Sequence, residues 1–334
     1  MDRLIAVATP DEQERWGVPA GLPPFDPADL VRHAPDTHWM IVSNRRGPVA
    51  RCSLWWRSTP HLPGHQLGVI GHYAALDASV ACRLLQHVSA QLAARGCTLA
   101  VGPMDGNTWR RYRLLTERGS EPVFYLEPDN PDGWPGHFLG AGFTPIAWYT
   151  SAITTDLSRK DPRMERVADR LQADGIHIRP LDEQHVEEDL RRVYTVATIS
   201  FRDNFLYTPI NEAGFLAHYQ PVLPCVRSEL VLLAERCGHP IGFLFAVPDM
   251  RQARPGQDIQ TIIIKTVAVS PDRSHAGLGG LLVARAHEVA RSLGYTRAIH
   301  ALMHEANASR NISRHYAHTM RRYALFARTL GAAP

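Results

Sequence analysis

The residues best placed to do chemistry are the glycines near the end of the segment TVAVSPDRSHAGLGGLL, residues 266–282. An apolar, strand-like run ends at Pro271, and the chain then passes through Gly277 and Gly279 into an apolar helical pattern. The first N–H groups of a helix have no intrahelical acceptor, and the helix dipole is positive at that end. Because glycine has no Cβ, a phosphate can approach these N–H groups closely. The segment therefore predicts a phosphate-binding site.

A glycine-rich turn between a strand and a helix also occurs in dinucleotide sites, in P-loops and in ordinary tight turns. The sequence of this turn matches neither GxGxxG nor GxxxxGK[ST]. The turn also comes late in its half of the chain, after several strands with an antiparallel pattern, whereas a dinucleotide-binding turn follows the first strand. These details argue against both nucleotide-binding alternatives.

The segment VAVSPDRSHAGLGGLL resembles the coenzyme A motif of GNAT-superfamily acetyltransferases, in which a hydrophobic strand and a proline precede a [QR]xxGxG loop and an apolar helix. The resemblance covers this motif and the order of elements in the C-terminal half. It implies acetyl-CoA as the acyl donor. It also implies that the pantetheine arm pairs with the backbone of Val267 and Val269, and that the N–H groups from His275 to Gly280 hold the diphosphate.

One position departs from the family pattern, because Ser274 stands where the family usually has Gln or Arg. Arg273, one position earlier, either contacts the phosphates or is a solvated loop residue, in which case the main-chain donors suffice. A bulky residue at Gly277 is expected to block the phosphate path without disturbing the fold. The cofactor-binding residues that the resemblance implies are Val267, Val269, Arg273, Ser274, His275, Ala276, Gly277, Leu278, Gly279, Gly280 and Asn307.

The catalytic candidates lie in HEANASRNISRHY, residues 304–316. The resemblance implies that Asn307 lies near the pantetheine and that Tyr316 protonates the departing thiolate. The two residues are nine apart instead of seven, so either the helix starts later or Ser309 takes the role of the Asn. Tyr316 could equally be a half-buried aromatic anchor. His304 and Glu305 are candidates for the base that deprotonates the amine, with surface caps and a water relay as the alternatives.

Two segments have the aromatic and polar composition of an acceptor pocket. The loop SFRDNFLYTPI, residues 200–210, offers Arg202, Phe205 and Tyr207, although such a loop could also simply pack two helices together. In the N-terminal half, GPMDGNTWRRYRL offers Asn107, Trp109 and Tyr112 as one wall of the same pocket, or as parts of a folded loop.

The elements that must position these residues follow from periodicity. In the C-terminal half we predict strands at 176–181, 230–236, 240–247, 261–269, 296–303 and 321–328, and helices at 185–203, 211–219, 277–294 and from about Ser309. This order indicates a mixed α/β fold. Together with the resemblance, it predicts two GNAT-like domains in tandem, each a mostly antiparallel twisted sheet flanked by helices.

The N-terminal half faintly repeats the same order, which makes an internal duplication a hypothesis. We predict strands at 38–43, 49–56, 67–76, 97–102 and 145–153, and a helix at 79–95. Here Asp77 and Ser79 cap the helix where the other half has glycines, so no phosphate is expected to bind. The linker TTDLSRKDPR predicts a domain boundary after residue 157. Residues 1–157 would form a degenerate GNAT-like domain, and residues 158–334 the acetyl-CoA-binding domain.

Composition limits the remaining function classes. A net charge of +3 is too small to imply a nucleic-acid partner, and the absence of a signal-like start or a long apolar run predicts no membrane partner and a cytoplasmic protein. Five scattered cysteines and seventeen dispersed histidines form no metal motif. The predicted function is direct acetyl transfer from acetyl-CoA to a primary amine of a small molecule. A protein or aminoacyl acceptor, and a non-catalytic acyl-CoA-binding or regulatory protein, remain alternatives.

Overall fold

The structure, a computed structural model, describes residues 2–16 and 21–331. Within these residues, every strand joins one large sheet. The strands are β1 (Arg3–Val7), β2 (Thr37–Ser43), β3 (Gly47–Trp55), β4 (Leu67–Ala75), β5 (Leu99–Gly102), β6 (Leu114–Glu117), β7 (Thr144–Thr154), β8 (Ile176–Pro180), β9 (Val231–Arg236), β10 (His239–Pro248), β11 (Thr261–Val269), β12 (Arg297–His304) and β13 (His318–Thr329).

Helices cover both faces of this sheet. The α-helices are α1 (Pro10–Glu14), α2 (Asp29–His33), α3 (Ala78–Ala94), α4 (Trp134–Gly140), α5 (Arg163–Ala173), α6 (Val186–Ser200), α7 (Glu212–Tyr219), α8 (Leu278–Ser292) and α9 (Ala308–Ser313). Short 3₁₀ turns span Leu223–Cys225, Ser228–Leu230, Met250–Gln252 and Arg273–His275. Across the described ranges, no helix combines the length and apolar character needed to cross a bilayer.

The strand order is a mirror image about its centre. It runs β1-β2-β3-β4-β5-β13-β7-β12-β11-β10-β9-β8, and β6 also pairs with β13. Each half has an antiparallel run of four strands followed by one parallel pair, β4 with β5 or β11 with β12, whose connection contains α3 or α8. This arrangement confirms the predicted mixed α/β class, and the two halves repeat one topology.

The two halves exchange their last strands. β7, from the N-terminal half, lies between β13 and β12, while β13 lies between β5 and β7. The central pair is antiparallel, with Tyr149 opposite Tyr323. The boundary predicted at residue 157 follows β7 in sequence, but β7 lies between two strands of the C-terminal half. The sheet is therefore continuous across both halves.

Helices α8 and α6 lie on opposite faces of β11. Ile262 and Ile264 share one buried apolar cluster with α8, whereas Ile263 belongs to the cluster that includes α6. Neighbouring residues of a strand point to opposite faces, so this division follows from the run of isoleucines. α8 buries Leu278, Leu281, Leu282 and Ala286, as its periodicity predicts. The chain leaves the helix at Gly294, whose φ of +91° favours glycine.

Candidate functional site

Two cavities lie next to each other beside β11 and share part of their lining. The smaller has a volume of about 720 Å³ and is lined by the end of β11, the start of α8, α5 and the segment around α9. The larger has a volume of about 870 Å³ and is lined by both halves of the chain. Residues that line both cavities are Phe201, Asn204, Val267, Asn307, Ser309 and Ile312.

A gap between β11 and β12 makes room for the two cavities. The parallel pairing of these strands ends at Ile264 opposite His300, and β12 continues against β7 alone. On the other edge of β11, Thr266 faces Phe245 and Ile264 faces Ala246, so Lys265 is the extra residue of a β-bulge. The edge of β11 from Lys265 onward is therefore available to a ligand that binds like an added strand.

The start of α8 opens into the smaller cavity without a side-chain cap. Gly277 has a φ of +85°, and the first helical bond joins the Leu281 N–H to the Gly277 carbonyl at 3.0 Å. The N–H groups of Leu278, Gly279 and Gly280 therefore have no helical acceptor. A Cβ on Gly279 would lie 3.2 Å from Ile312 Cδ1 and 3.7 Å from Val267 Cγ1, between two residues that line the cavity. Only a residue without a side chain leaves this space open.

The structure narrows the predicted set of diphosphate donors. The N–H of His275 already donates to Asp272 O at 3.0 Å, and that of Ala276 to Arg273 O at 3.2 Å. Both N–H groups thus have acceptors within the turn, and the N–H groups without one begin at Gly277.

Some side chains of this loop line the smaller cavity, and others do not. Val267, Val269, His275 and the three glycines line the smaller cavity, as does Asn307, whose side chain caps nothing at the start of α9. Arg273, Ser274, Ala276 and Leu278 do not line it. Ser274 donates from Oγ to Asp272 Oδ1 at 2.8 Å, which stabilises the turn, and Leu278 is a fully buried core residue. Their predicted cofactor contacts, other than through the Leu278 N–H, do not follow from this geometry.

Gly277 has a second constraint that the sequence does not reveal. A Cβ there would lie 2.9 Å from Val167 Cγ1 on α5, and L-residues rarely adopt its positive φ. A bulky residue at this position would strain the backbone as well as obstruct the loop. The prediction that such a change leaves the fold undisturbed does not take this strain into account, so Gly279 is the better position for a test.

Tyr316 lies at the wall of the smaller cavity. The residue is only 3% exposed, and its hydroxyl has no hydrogen-bond partner among the residues that the structure describes. Its ring packs edge-on against His287, 5.0 Å between centroids. Burial raises the pKa of Tyr316 to about 12, so the phenol keeps its proton at neutral pH. A buried O–H without an acceptor can donate to a group that arrives in the cavity.

The two base candidates differ in position. His304 lines the larger cavity, and burial, with the charge of Arg113, lowers its pKa, so the ring is neutral. The Ala306 N–H donates to His304 Nδ1 at 3.1 Å, which places the ring proton on Nε2. This tautomer favours donation by Nε2 over proton acceptance. Glu305 lines neither cavity.

Some of the predicted acceptor residues line the larger cavity, and others do not. Phe205 and Tyr207 line the larger cavity, whereas Arg202 is exposed and lies outside the lining. From the N-terminal half, Trp109 and Tyr112 line it and Asn107 does not. Asn107 instead accepts the Trp109 N–H through Oδ1 at 3.0 Å.

The N-terminal loop is tied directly to the C-terminal loop. Trp109 Nε1 donates to Thr208 O at 2.8 Å, and the indole lies 5.8 Å from the Phe215 ring. The wall of the larger cavity is thus built by both halves of the chain.

The corresponding places in the N-terminal half are filled by the chain itself. Asp77 accepts the N–H groups of Ser79 and Val80, each at 3.0 Å, at the start of α3. Asp77 is thus the cap and Ser79 a donor to it, not a second cap. Beside β4, Met104 N donates to Ile70 O at 2.8 Å and His72 N to Asp105 Oδ1 at 2.6 Å. Protein groups thus satisfy both the start of the helix and the edge of the strand.

Comparison with known proteins agrees with this geometry. Residues 192–317 match the model of the acetyltransferase (GNAT) family. This part of the chain is a GNAT acetyltransferase domain. The matched residues contain the β11–α8 turn, the loop at 200–210 and Tyr316, and the family supports acyl transfer as the chemistry of this domain. No curated protein sequence matches the chain.

Solved structures resemble the chain over nearly its whole length. A tandem GNAT protein from the clavulanic acid biosynthesis pathway has a TM-score of 0.52 and 13% identity, with 100% of both chains covered. A GCN5-related N-acetyltransferase from Sphaerobacter thermophilus has a TM-score of 0.51 and 14% identity, with 98% of this chain and 96% of that one covered. These likenesses confirm the predicted tandem GNAT fold.

A third similar structure belongs to a longer protein. It contains the GCN5-related glucosamine N-acetyltransferase region of a fungal multi-domain GH3 β-N-acetylglucosaminidase, with a TM-score of 0.55 and 14% identity. The match covers 98% of this chain, which spans only 38% of the fungal chain. At such identities the similarity concerns the fold.

Several cavity residues are not among the sequence-based candidates. Lys265 has a visible signal, since it is the one charge in the strand TIIIKTVAV. Arg113, Glu127 and Tyr149 line the larger cavity from the N-terminal half. They come from separate segments that only the exchanged strands bring together, and no local pattern marks them.

Proposed function

We propose that the chain transfers an acetyl group from acetyl-CoA directly to a primary amine of a small molecule. The observation that carries the proposal is the uncapped, glycine-lined start of α8, which opens into a cavity that shares lining residues with a second one along the free edge of β11. The diphosphate would bind the N–H groups from Gly277 to Gly280. The pantetheine would pair with β11 at Val267 and Val269, and the thioester would reach the junction of the cavities.

Tyr316 is the proposed general acid. When the amine attacks the thioester carbonyl, the tetrahedral species collapses by expelling the thiolate, and a nearby O–H stabilises that leaving group. The Tyr316 hydroxyl is protonated and has no competing protein acceptor. Asn307 and Ser309, which line both cavities, would orient the amide groups of the pantetheine.

For the proton that the amine must lose, the proposal adopts the water relay, which was the alternative to a direct base. The neutral His304 lines the cavity and carries its ring proton on Nε2, so in this proposal it orients the substrate as a donor. Glu305 lies outside both linings, so the proton would leave through water at the junction of the cavities. No covalent enzyme intermediate is needed.

The N-terminal half is proposed to bind no second acetyl-CoA. Its helix start is capped by Asp77, and its strand edge is occupied by Met104 and Asp105. Its role is to supply the exchanged strand β7 and part of the acceptor wall. Trp109 and Tyr112 belong to that wall.

The direct test of this function is release of free thiol from acetyl-CoA in the presence of a panel of small amines. The proposal expects amine-dependent release with the N-acetyl product confirmed by mass spectrometry, and a larger rate for at least one small amine than for peptide N termini. Tight binding of acetyl-CoA without release by any amine would identify a binding protein instead, and exclusive activity on peptides would identify the wrong acceptor class.

A further inference from the structure

The larger cavity carries an excess of positive charge. The cavity is lined by only two carboxylates, Glu127 and Asp129, and by five basic residues, Lys265, Arg110, Arg111, Arg113 and Arg251. Both carboxylates already have cationic partners outside the cavity lining. Glu127 lies 2.7 Å from Arg321, with both side chains fully buried, and Asp129 lies 2.8 Å from Arg118.

Arg113 is the most enclosed of these cations. It is 7% exposed, and its guanidinium lies 4.0 Å from the centroid of the Tyr112 ring and 4.2 Å from that of Tyr149. Nη1 donates to Leu302 O at 3.3 Å, but Nε has no partner within the described part of the chain. A buried charged group with an unused donor is costly unless a ligand pairs with it.

Lys265 brings a second positive charge into the same space. As the extra residue of the β11 bulge, it points its Nζ toward Leu126 O, at 3.3 Å. Burial and the charge of Arg113 lower the pKa of Lys265 to about 7, and Glu127 opposes this shift only in part. The side chains of Arg113 and Lys265 line the same cavity, and neither forms a salt bridge with a carboxylate of the residues described.

We propose that the acceptor is a small amine that also carries a carboxylate, which Arg113 and Lys265 bind. This inference rests on the proposed acetyl transfer and specifies its substrate class. A carboxylate would accept from the free edge of the Arg113 guanidinium and from Lys265, offsetting the repulsion between them. Trp109, Phe205 and Tyr207 would contact the apolar part of the molecule. The amine end would then face the junction of the cavities.

Matched pairs of acceptors test this proposal. Each pair consists of an amino acid and its carboxamide, such as phenylalanine with phenylalaninamide and β-alanine with β-alaninamide, assayed by thiol release. For the accepted pair, kcat/KM of the acid should exceed that of the amide by about tenfold to a hundredfold, the range for a charge-assisted hydrogen bond. The amine of the amide is the less protonated of the two, so the preference cannot come from the amine.

Substitutions test which residues cause the preference for the acid over the amide. Lys265→Met and Arg113→Gln should each reduce the preference for the acid about tenfold or more while the Kd of acetyl-CoA stays the same. Arg254→Gln, which removes an exposed cation outside the lining, should leave the preference intact. If Arg113→Gln does not fold, Lys265→Met decides.

A binding measurement separates this inference from the proposed function. The same acids and amides are added to the protein without acetyl-CoA, and the shift in melting temperature is recorded. Stabilisation by at least one acid and not by its amide supports the inference even if no acetyl transfer occurs. Equal effects of acid and amide, no effect of any acid, or an unchanged preference for the acid in Lys265→Met would overturn it.

Discussion

The unpaired hydroxyl of Tyr316 makes a single substitution informative about both stability and catalysis. A buried polar group without a partner destabilises the native state by about 1–3 kcal/mol, so a residue kept despite that cost calls for a functional reason. The proposed reason is proton donation to the departing thiolate.

Tyr316→Phe should therefore separate activity from folding. Removing the hydroxyl eliminates no protein hydrogen bond, so the melting temperature should stay the same or rise slightly. The rate kcat should fall about a hundredfold or more, in the range for loss of a general acid, with the Kd of acetyl-CoA unchanged. Stopped-flow thiol release and a thermal melt check both results, and an unchanged kcat would exclude Tyr316 as the acid.

The buried pair of Glu127 and Arg321 links the floor of the larger cavity to β13. Arg321 also donates through Nη2 to Glu121 O and Pro122 O, at 2.6 and 2.8 Å. Replacing Glu127 by Gln would leave a buried guanidinium without its counter-charge, which costs about 3–5 kcal/mol.

Glu127→Gln should therefore lower the free energy of unfolding by several kcal/mol in a denaturant titration. Asp129→Asn is the matched control, since its partner Arg118 is partly exposed and such pairs contribute about 1 kcal/mol or less. Equal losses in the two variants would contradict the importance assigned to the buried pair.

At the scale of elements, the β11–α8 turn combines a strand with a free edge and a helix with free N–H groups. Gly279 lies between Val267 and Ile312, so it is the position where added volume enters the cavity directly. A substitution at Gly279 also avoids the backbone strain that the positive φ of Gly277 would cause there.

Gly279→Val should raise the Kd of acetyl-CoA about tenfold or more, because methyl groups would occupy the path of the diphosphate. Gly136→Ala, in α4, is the control, since a Cβ there meets nothing within 4 Å. Calorimetry and thermal melts on both variants give the result. A wild-type Kd in Gly279→Val would mean that the diphosphate binds elsewhere.

Long periodic elements were predictable from the sequence, and short or non-local features were not. The predicted strand at 261–269 coincides with β11, and α8 begins and ends within two residues of its predicted range. Both have a strong local pattern, β-branched in one and helical in the other. The five-residue helices α1 and α2 and the strands β1 and β6 were missed because such short segments carry little periodicity.

The candidate site was predictable only where one segment builds it. The glycines of the β11–α8 turn line the smaller cavity, as do Asn307 and Tyr316 from the segment around α9, and each set lies within one short stretch of sequence. Arg113 and Glu127 reach the larger cavity through pairing between β7, β12 and β13, which depends on contacts between residues far apart in sequence. A local pattern contains no information about such contacts.

At the scale of the whole molecule, the exchange of β7 and β13 makes each half depend on the other. Without residues 1–157, β12 loses its neighbour β7, and β13 loses both β5 and β7. Unpaired strand edges of this kind promote aggregation.

Residues 158–334 expressed alone should therefore be aggregated or lack a cooperative thermal transition, whereas co-expression with residues 1–157 should restore one. Size-exclusion chromatography and calorimetric melts distinguish these states. A monomeric C-terminal half that melts cooperatively and binds acetyl-CoA with the wild-type Kd would show that the exchanged strands are dispensable.

The most direct test of the central claim is a crystal structure of the full chain soaked with acetyl-CoA. We expect one molecule per chain, with its diphosphate on the N–H groups from Gly277 to Gly280 and its thioester at the junction of the two cavities near Tyr316. Diphosphate density at the start of α3 beside Asp77, or a start of α8 with no ligand at saturating acetyl-CoA, would contradict the account.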